Sequence, residues 1–108
     1  MSETDRDAGL LELFEPDSVA GVGGTPREGS VGRGVVDSLR GFEGDVVVVN
    51  PNHDEVLGFP SYKDVDSVPG EIDLAVVVVP PKVVVGVVEE LGDSGVTNVV
   101  VVTAVIPA

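Results

Sequence analysis

Residues 18–36 read SVAGVGGTPREGSVGRGVV, and they join a β-branched segment to a glycine-rich loop and then to a segment with helical spacing. Val31, Val35 and Leu39 repeat with the period of an amphipathic helix, and Ser30 is a typical N-cap residue. Glycines leave backbone N–H groups unobstructed, and a helix N-terminus adds a partial positive charge. This stretch therefore predicts a strand, an anion-binding loop and a helix, with a phosphate group as the ligand.

Valine-rich segments on both sides extend this pattern into an alternation of strands and helices. Strands are predicted over residues 18–23, 45–50, 72–79 and 98–104. The last three contain four consecutive valines each, which is typical of parallel strands covered on both faces. Helices or turns are predicted around 10–14, 63–68 and 84–91, with a loop-rich stretch between Pro60 and Pro69. The order predicts an α/β fold, a Rossmann-like open parallel sheet with helices on both faces, truncated after its fourth strand.

Length and charge restrict the class of protein. The 108 residues include 6 basic and 19 acidic side chains, a formal net charge of −13. We expect an acidic flexible N-terminus over 1–9 and one domain over 10–108 that is incomplete at its C-terminus. So acidic a surface repels nucleic acid and anionic membranes and suits a salt-adapted, halophilic protein. With no secretory signal and no membrane-length apolar run, the sequence predicts a cytoplasmic protein. The absence of cysteine excludes disulfides and thiolate metal sites, and no metal site is predicted.

Candidate site residues follow the predicted strands, because ligands of open α/β sheets bind beyond the carboxyl ends of the strands. Arg27 supplies a cation after the first strand, and with Arg33 and Arg40 it forms the only predicted cation cluster. Residues 50–52 offer uncharged donors and acceptors after the second strand, and two prolines at 80–81 form a rigid apolar wall after the third. His53, the only histidine, has no neighbour to orient it, and we assign it no catalytic role.

The glycine-rich loop matches neither of two common nucleotide-binding motifs. The dinucleotide fingerprint G-x-G-x-x-G needs Gly or Ala where Pro26 stands, and an acidic residue at the end of the second strand, where Asn50 stands. The P-loop motif G-x-x-x-x-G-K-[ST] does not occur in the chain. The residues therefore favour a phosphate-containing ligand of another kind, and an NAD(P)-binding Rossmann fragment stays as an alternative.

A set of short motifs occurs in order along the chain: LFEPDSVA at 13–20, GSVG at 29–32, GFEG at 41–44, VNPN at 49–52, EVLG at 55–58 and IDLAV at 72–76. Together they resemble the N-terminal CoA-binding domain of ADP-forming (NDP-forming) acetate or acyl-CoA ligases. That domain is related to the CoA-binding part of the succinyl-CoA synthetase alpha subunit. The resemblance extends over residues 10–104.

The resemblance implies a CoA-binding module of such a ligase, which is not catalytic alone. The full ligases convert acyl-CoA, ADP and phosphate into acid, CoA and ATP, through a phosphorylated histidine and ATP-grasp domains that belong to other parts of those enzymes. The implied partners are CoA or acyl-CoA and the remaining ligase domains or subunit, without nucleic acid or membrane. A stand-alone CoA-binding regulatory protein is the alternative, and a homo-oligomer is left open. By the same likeness, residues 24–27 meet the CoA phosphates and residues 102–104 line the thiol end.

With the strand-end residues, the predicted cofactor-binding set is Gly23, Gly24, Thr25, Pro26, Arg27, Gly29, Ser30, Val31, Asn50, Pro51, Asn52, Val79, Pro80, Thr103 and Ala104. No catalytic residue is predicted within the chain.

Overall fold

The computed structural model describes residues 16–102, so the helix predicted at 10–14, the N-terminus 1–9 and residues 103–108 lie outside the described range. The strands are β1 (Ser18–Val22), β2 (Asp45–Val49), β3 (Glu55–Val56), β4 (Phe59–Tyr62), β5 (Leu74–Val77) and β6 (Val99–Val101). The helices are α1 (Val31–Leu39) and α2 (Pro81–Asp93), with a 3-10 helix at Val65–Ser67.

The six strands form one sheet in the order β3-β4-β2-β1-β5-β6. Only the β3–β4 pair is antiparallel, and every other neighbouring pair is parallel. The chain leaves β1 towards β2 on one side and leaves β5 towards β6 on the other, so the direction of winding reverses between β1 and β5. The predicted Rossmann-like α/β fold is confirmed.

The core lies against both faces of the central strands, as their uninterrupted valine runs predict. The same prediction is wrong for the run at 99–102, because β6 is an edge strand in which Val100 is 49% and Val101 40% exposed. On one face, Ala20, Ala75 and Val77 are fully buried and pack with Leu91 of α2. On the other face, Val48 is covered by Val36 of α1. Within residues 16–102, neither helix has the length and apolar character that crossing a membrane requires.

The hairpin formed by β3 and β4 was not predicted. It closes through Leu57 (φ 51°) and Gly58 (φ 91°), and positive φ at both central residues is what a type I′ hairpin turn requires. Val56 is buried, with 1% of its surface exposed, and Arg40 donates to the Leu57 carbonyl at 3.4 Å. Strand β4 then adds to the edge of β2 in parallel, which makes the region around Pro60 part of the sheet and not a loop.

Several predicted boundaries shift by a few residues. The predicted strand at 72–79 forms only over Leu74–Val77, and α2 begins at Pro81, because proline is well accommodated in the first turn of a helix. The short element at 63–68 is the 3-10 helix, whose cap is Asp64. Ser67 donates to the Asp64 carboxylate from its backbone N–H (2.8 Å) and its hydroxyl (2.6 Å), and these bonds hold the pKa of Asp64 below its ordinary value.

Candidate phosphate-binding cavity

A cavity of about 700 Å³ opens at the carboxyl ends of β1 and β5, where the winding of the sheet reverses. Ligands of open α/β sheets bind at this position. The loop after β1 and the start of α1 form one wall, and the segment between β5 and α2 forms the opposite wall together with Val102. The N-termini of both helices therefore border the same space, and each contributes a partial positive charge.

Unpaired backbone N–H groups are the main chemical feature of the first wall. On this wall, five N–H groups donate to no acceptor among residues 16–102, and they belong to Thr25, Glu28, Gly29, Val31 and Gly32. The neighbouring N–H groups are paired within the protein: Gly23 N–H donates to Val49 O, and Gly24 N–H donates to Gly21 O. A row of free amide donors beside a helix N-terminus is suited to an anion such as a phosphate.

Two glycines are required by the packing of this wall. Gly23 has a φ of 92°, and a Cβ at this position would lie 2.0 Å from the Val78 carbonyl oxygen. A Cβ at Gly32 would lie 2.8 Å from the Gly23 carbonyl oxygen and 2.9 Å from Thr25 Cγ2. The glycines therefore bring β1, the loop and α1 into close contact, and this close contact shapes the cavity.

Only one of the three clustered arginines lines the cavity. Arg27 is exposed there, and within residues 16–102 its side chain has no ion pair or hydrogen bond. Arg33 instead donates to Pro26 O at 2.9 Å and lies 3.7 Å from the Asp37 carboxylate. Arg40 pairs with Asp37 at 3.3 Å. Of the three predicted arginines, only Arg27 is therefore placed to meet a ligand in this cavity, because the side chains of Arg33 and Arg40 bind other partners.

The opposite wall is apolar. It consists of Val78, Val79, Pro80, Pro81 and Val102. Pro80 is the N-cap of α2 and Pro81 its first residue, so this wall is rigid and provides no proline N–H. The cavity thus pairs a polar wall of amides with an apolar wall on which an alkyl chain can lie.

The predicted site residues divide into three groups. Residues that line the cavity are Gly23, Thr25, Arg27, Gly29, Ser30, Val31, Val79 and Pro80. Residues that the structure does not bring to its wall are Gly24, Pro26, Asn50, Pro51 and Asn52. Thr103 and Ala104 lie outside the described residues. The prediction omitted Glu28, Gly32 and Val78, although all three are sequence neighbours of predicted residues, and Pro81, predicted with Pro80 as an apolar wall, also lines the cavity.

Thr25, Glu28 and Ser30 line the cavity with hydroxyl or carboxyl groups, and the Glu28 carboxylate lies 3.8 Å from Arg33. The Ser30 hydroxyl donates to Arg27 O at 2.7 Å and accepts from Arg33 N, so it serves as the cap of α1. His53 is exposed and does not line the cavity. Among the residues the structure describes, no group of three or more metal-ligating side chains is close enough to hold a metal ion. The arrangement can bind and orient a ligand.

Comparison with known proteins identifies the family. Residues 17–107 match the model of the CoA binding domain. An ADP-forming acetate–CoA ligase I of Archaeoglobus fulgidus is 47% identical over 95 residues, which cover 88% of this chain and 14% of that protein. The dinucleotide forming acetyl-coenzyme A synthetase 1 of Ca. Korarchaeum cryptofilum, solved in complex with phosphate and ADP, superposes with a TM-score of 0.81 and 36% identity, over 90% of this chain and 21% of that one.

A shorter relative has a solved structure as well. A conserved hypothetical protein from Pyrococcus furiosus superposes with a TM-score of 0.72 and 32% identity, covering 79% of this chain and 73% of that one. The ligases are much longer, and this chain spans about 14% of the length of the first curated relative. The resemblance that the motifs indicated is confirmed by these matches. The cavity, the sheet topology and the family model agree, and the chain belongs to the CoA binding domain family.

Proposed function

We propose that this chain is the CoA-binding module of an ADP-forming acetate or acyl-CoA ligase, and that it binds CoA or acyl-CoA without performing the bond-forming chemistry itself. The family match and the ligase relatives support this proposal. The observation that carries it is the row of five unpaired N–H groups beside two helix N-termini in one cavity.

The phosphates of CoA are expected at the amide wall, the wall formed by the loop after β1 and the start of α1, which carries the five unpaired N–H groups. Thr25, Gly29 and Gly32 lie along the loop and the first turn of α1, so their N–H groups can donate to successive oxygens of a pyrophosphate. Arg27 adds a cation that has no other partner within residues 16–102. Charge-assisted bonds of this kind are shorter and stronger than neutral ones.

The pantetheine arm is expected on the apolar wall. Val79, Pro80 and Val102 present aliphatic surface directly opposite the amides, and a volume of about 700 Å³ lies in the range of sites for ligands of this size. Burial of the arm removes apolar surface from water, which favours binding. Thr103 and Ala104, which follow Val102, stay a prediction for the thiol end.

The role in the reaction is binding and orientation. Few cavity side chains could exchange protons: the Ser30 hydroxyl serves as the cap of α1, and the Glu28 carboxylate lies 3.8 Å from Arg33. In the proposed ligase, the remaining domains or subunit supply the acyl-phosphate chemistry and the ADP site. From the charge of −13 we also propose a salt-adapted, cytoplasmic protein.

Thermal unfolding at high salt with CoA or NADH tests the binding proposal. A ligand that binds only the folded form adds about 2.7 kcal/mol of stability at 100 times its dissociation constant, which is a rise of roughly 10 °C or more for a domain of this size. We expect this rise with CoA and no comparable rise with NADH. A flat response to CoA, or a larger response to NADH, contradicts the proposal.

A stand-alone CoA-binding protein is the second candidate. The Pyrococcus furiosus protein favours it, because this chain covers 73% of that protein's length and the fold therefore occurs in a chain little larger than this one. Replacing the matching segment of the Archaeoglobus fulgidus ligase with this chain separates the two candidates. A ligase module keeps ADP-forming activity in a chimera that still gains stability from CoA, whereas a stand-alone protein gives a chimera that binds CoA and is inactive.

A further inference from the structure

Asn50 lies outside the cavity wall, but its side chain reaches the glycine-rich loop. Its Nδ2 donates to the Gly24 carbonyl oxygen at 2.9 Å, and its Oδ1 accepts from the Asn52 N–H at 2.9 Å. Its backbone is fixed as well, because its N–H donates to Tyr62 O at 2.9 Å and its carbonyl accepts from the Ser61 hydroxyl at 3.3 Å. Asn50 therefore links β2 and β4 to a loop that lies 26 residues earlier in the chain.

The bond to Gly24 fixes the direction of the next amide. The Gly24–Thr25 peptide is trans, so its carbonyl and its N–H point in opposite directions. Because Asn50 holds the carbonyl, the Thr25 N–H is directed away from Asn50, and Thr25 lines the cavity. This N–H is one of the five on the first wall that donate to no acceptor among the described residues.

A second side chain holds the following part of the same loop. Arg33 donates to Pro26 O at 2.9 Å from the first turn of α1. The loop is thus held through two carbonyl oxygens, and neither anchoring side chain lines the cavity. Groups held in their binding orientation before the ligand arrives lose less conformational freedom on binding.

We propose that Asn50 is a positioning residue: it orients the Thr25 N–H towards the ligand phosphate and does not touch the ligand itself. This role rests on the proposed CoA binding. It changes the assignment of Asn50 from a predicted contact residue to a residue that acts through Gly24. It also accounts for an asparagine at the end of β2, since its amide group can donate to one backbone group and accept from another.

Asn50→Asp tests the proposal, because it keeps the shape of the side chain and removes the donor. Asn98→Asp is the matched control, since Asn98 Nδ2 also donates to a backbone carbonyl, Asp73 O at 3.2 Å, at the opposite end of the sheet. By calorimetry we expect the dissociation constant for CoA to rise at least tenfold in Asn50→Asp and less than threefold in Asn98→Asp. Equal constants in the two variants overturn the role of Asn50.

An NMR titration of the unmodified protein distinguishes positioning from contact, and it needs no variant to fold. We expect CoA to shift the Thr25 N–H resonance strongly and to leave the Asn50 side-chain NH₂ resonance nearly unchanged. A large shift of that NH₂ group makes Asn50 a contact residue and overturns the proposal. Failure of the unmodified protein to bind CoA overturns the proposed function as well, whereas binding with an unshifted Thr25 N–H overturns this role alone.

Discussion

The variant Gly32→Ala tests whether close packing against the loop requires glycine at this position, because the packing cost of a Cβ opposes the stability that alanine normally gives to a helix. A Cβ at Gly32 would lie 2.8 Å from the Gly23 carbonyl oxygen, and ordinary contacts begin at 3.4 Å, so loop and helix must separate by about 0.6 Å. Overpacking of this kind costs about 1–3 kcal/mol. Replacing a helical glycine by alanine otherwise gains up to about 1 kcal/mol. The net expectation is a loss of roughly 0–3 kcal/mol in the free energy of unfolding.

Gly34→Ala in the same helix is the control. Gly34 is exposed, and a Cβ there meets nothing within 4 Å, so this variant should gain about 0.5–1 kcal/mol from helix propensity alone. Urea unfolding measures both stabilities, and calorimetry measures the dissociation constants for CoA. We also expect Gly32→Ala to weaken CoA binding about tenfold, because the displaced wall carries the N–H groups that would donate to the phosphates. A loss of about 1.4 kcal/mol in binding free energy corresponds to this tenfold change. Two variants with the same stability and the same affinity would refute the reasoning.

Three further predictions concern charge. Arg27→Ala should weaken CoA binding by about 1.5–3 kcal/mol, the value of a hydrogen bond to a charged group, while the exposed control Lys63→Ala should leave the constant within twofold in calorimetry. Because the pKa of Asp64 is lower in the folded protein, its ionised carboxylate stabilises the fold at pH values above the ordinary aspartate pKa. This stabilisation is lost as the pH falls through the pKa that Asp64 has in the folded protein. Thermal melts should therefore show the advantage of the unmodified protein over Asp64→Ala at neutral pH shrinking in acid, and a constant difference contradicts this. The melting temperature should rise between 0.1 and about 2 M KCl, because salt screens the repulsion within a chain of charge −13, and an unchanged value contradicts this.

The central sheet could be predicted because its signal is local. Runs of valine at 46–49 and 76–79 mark central strands of a parallel sheet, although in β5 one face is buried and the other, with Val76, is half-buried. The β3–β4 hairpin gave no such signal, because β3 has two residues and its turn places Leu57 in the left-handed region, which favours Gly and Asn. Burial of Val56 against the core decides this conformation, and burial is a property of the folded molecule.

The two walls of the candidate site could also be predicted from the sequence, whereas the hydrogen bonds of its polar side chains could not. The amide wall was found because the loop, its glycines and the helix N-terminus are contiguous in sequence. The apolar wall was found because parallel strands end at one edge of the sheet. The direction of each polar side chain was not predictable, since Asn50 and Arg33 donate to carbonyl groups of the loop that only the folded chain brings within hydrogen-bond distance.

A crystal structure of the protein with CoA tests the central claim most directly. We expect pyrophosphate oxygens within hydrogen-bond distance of the unpaired N–H groups of Thr25, Gly29 and Gly32, with the pantetheine arm against Val79 and Pro80. CoA bound elsewhere, for example in the cavity of about 460 Å³ at the amino ends of β5 and β6, with the loop amides facing no phosphate, would contradict it.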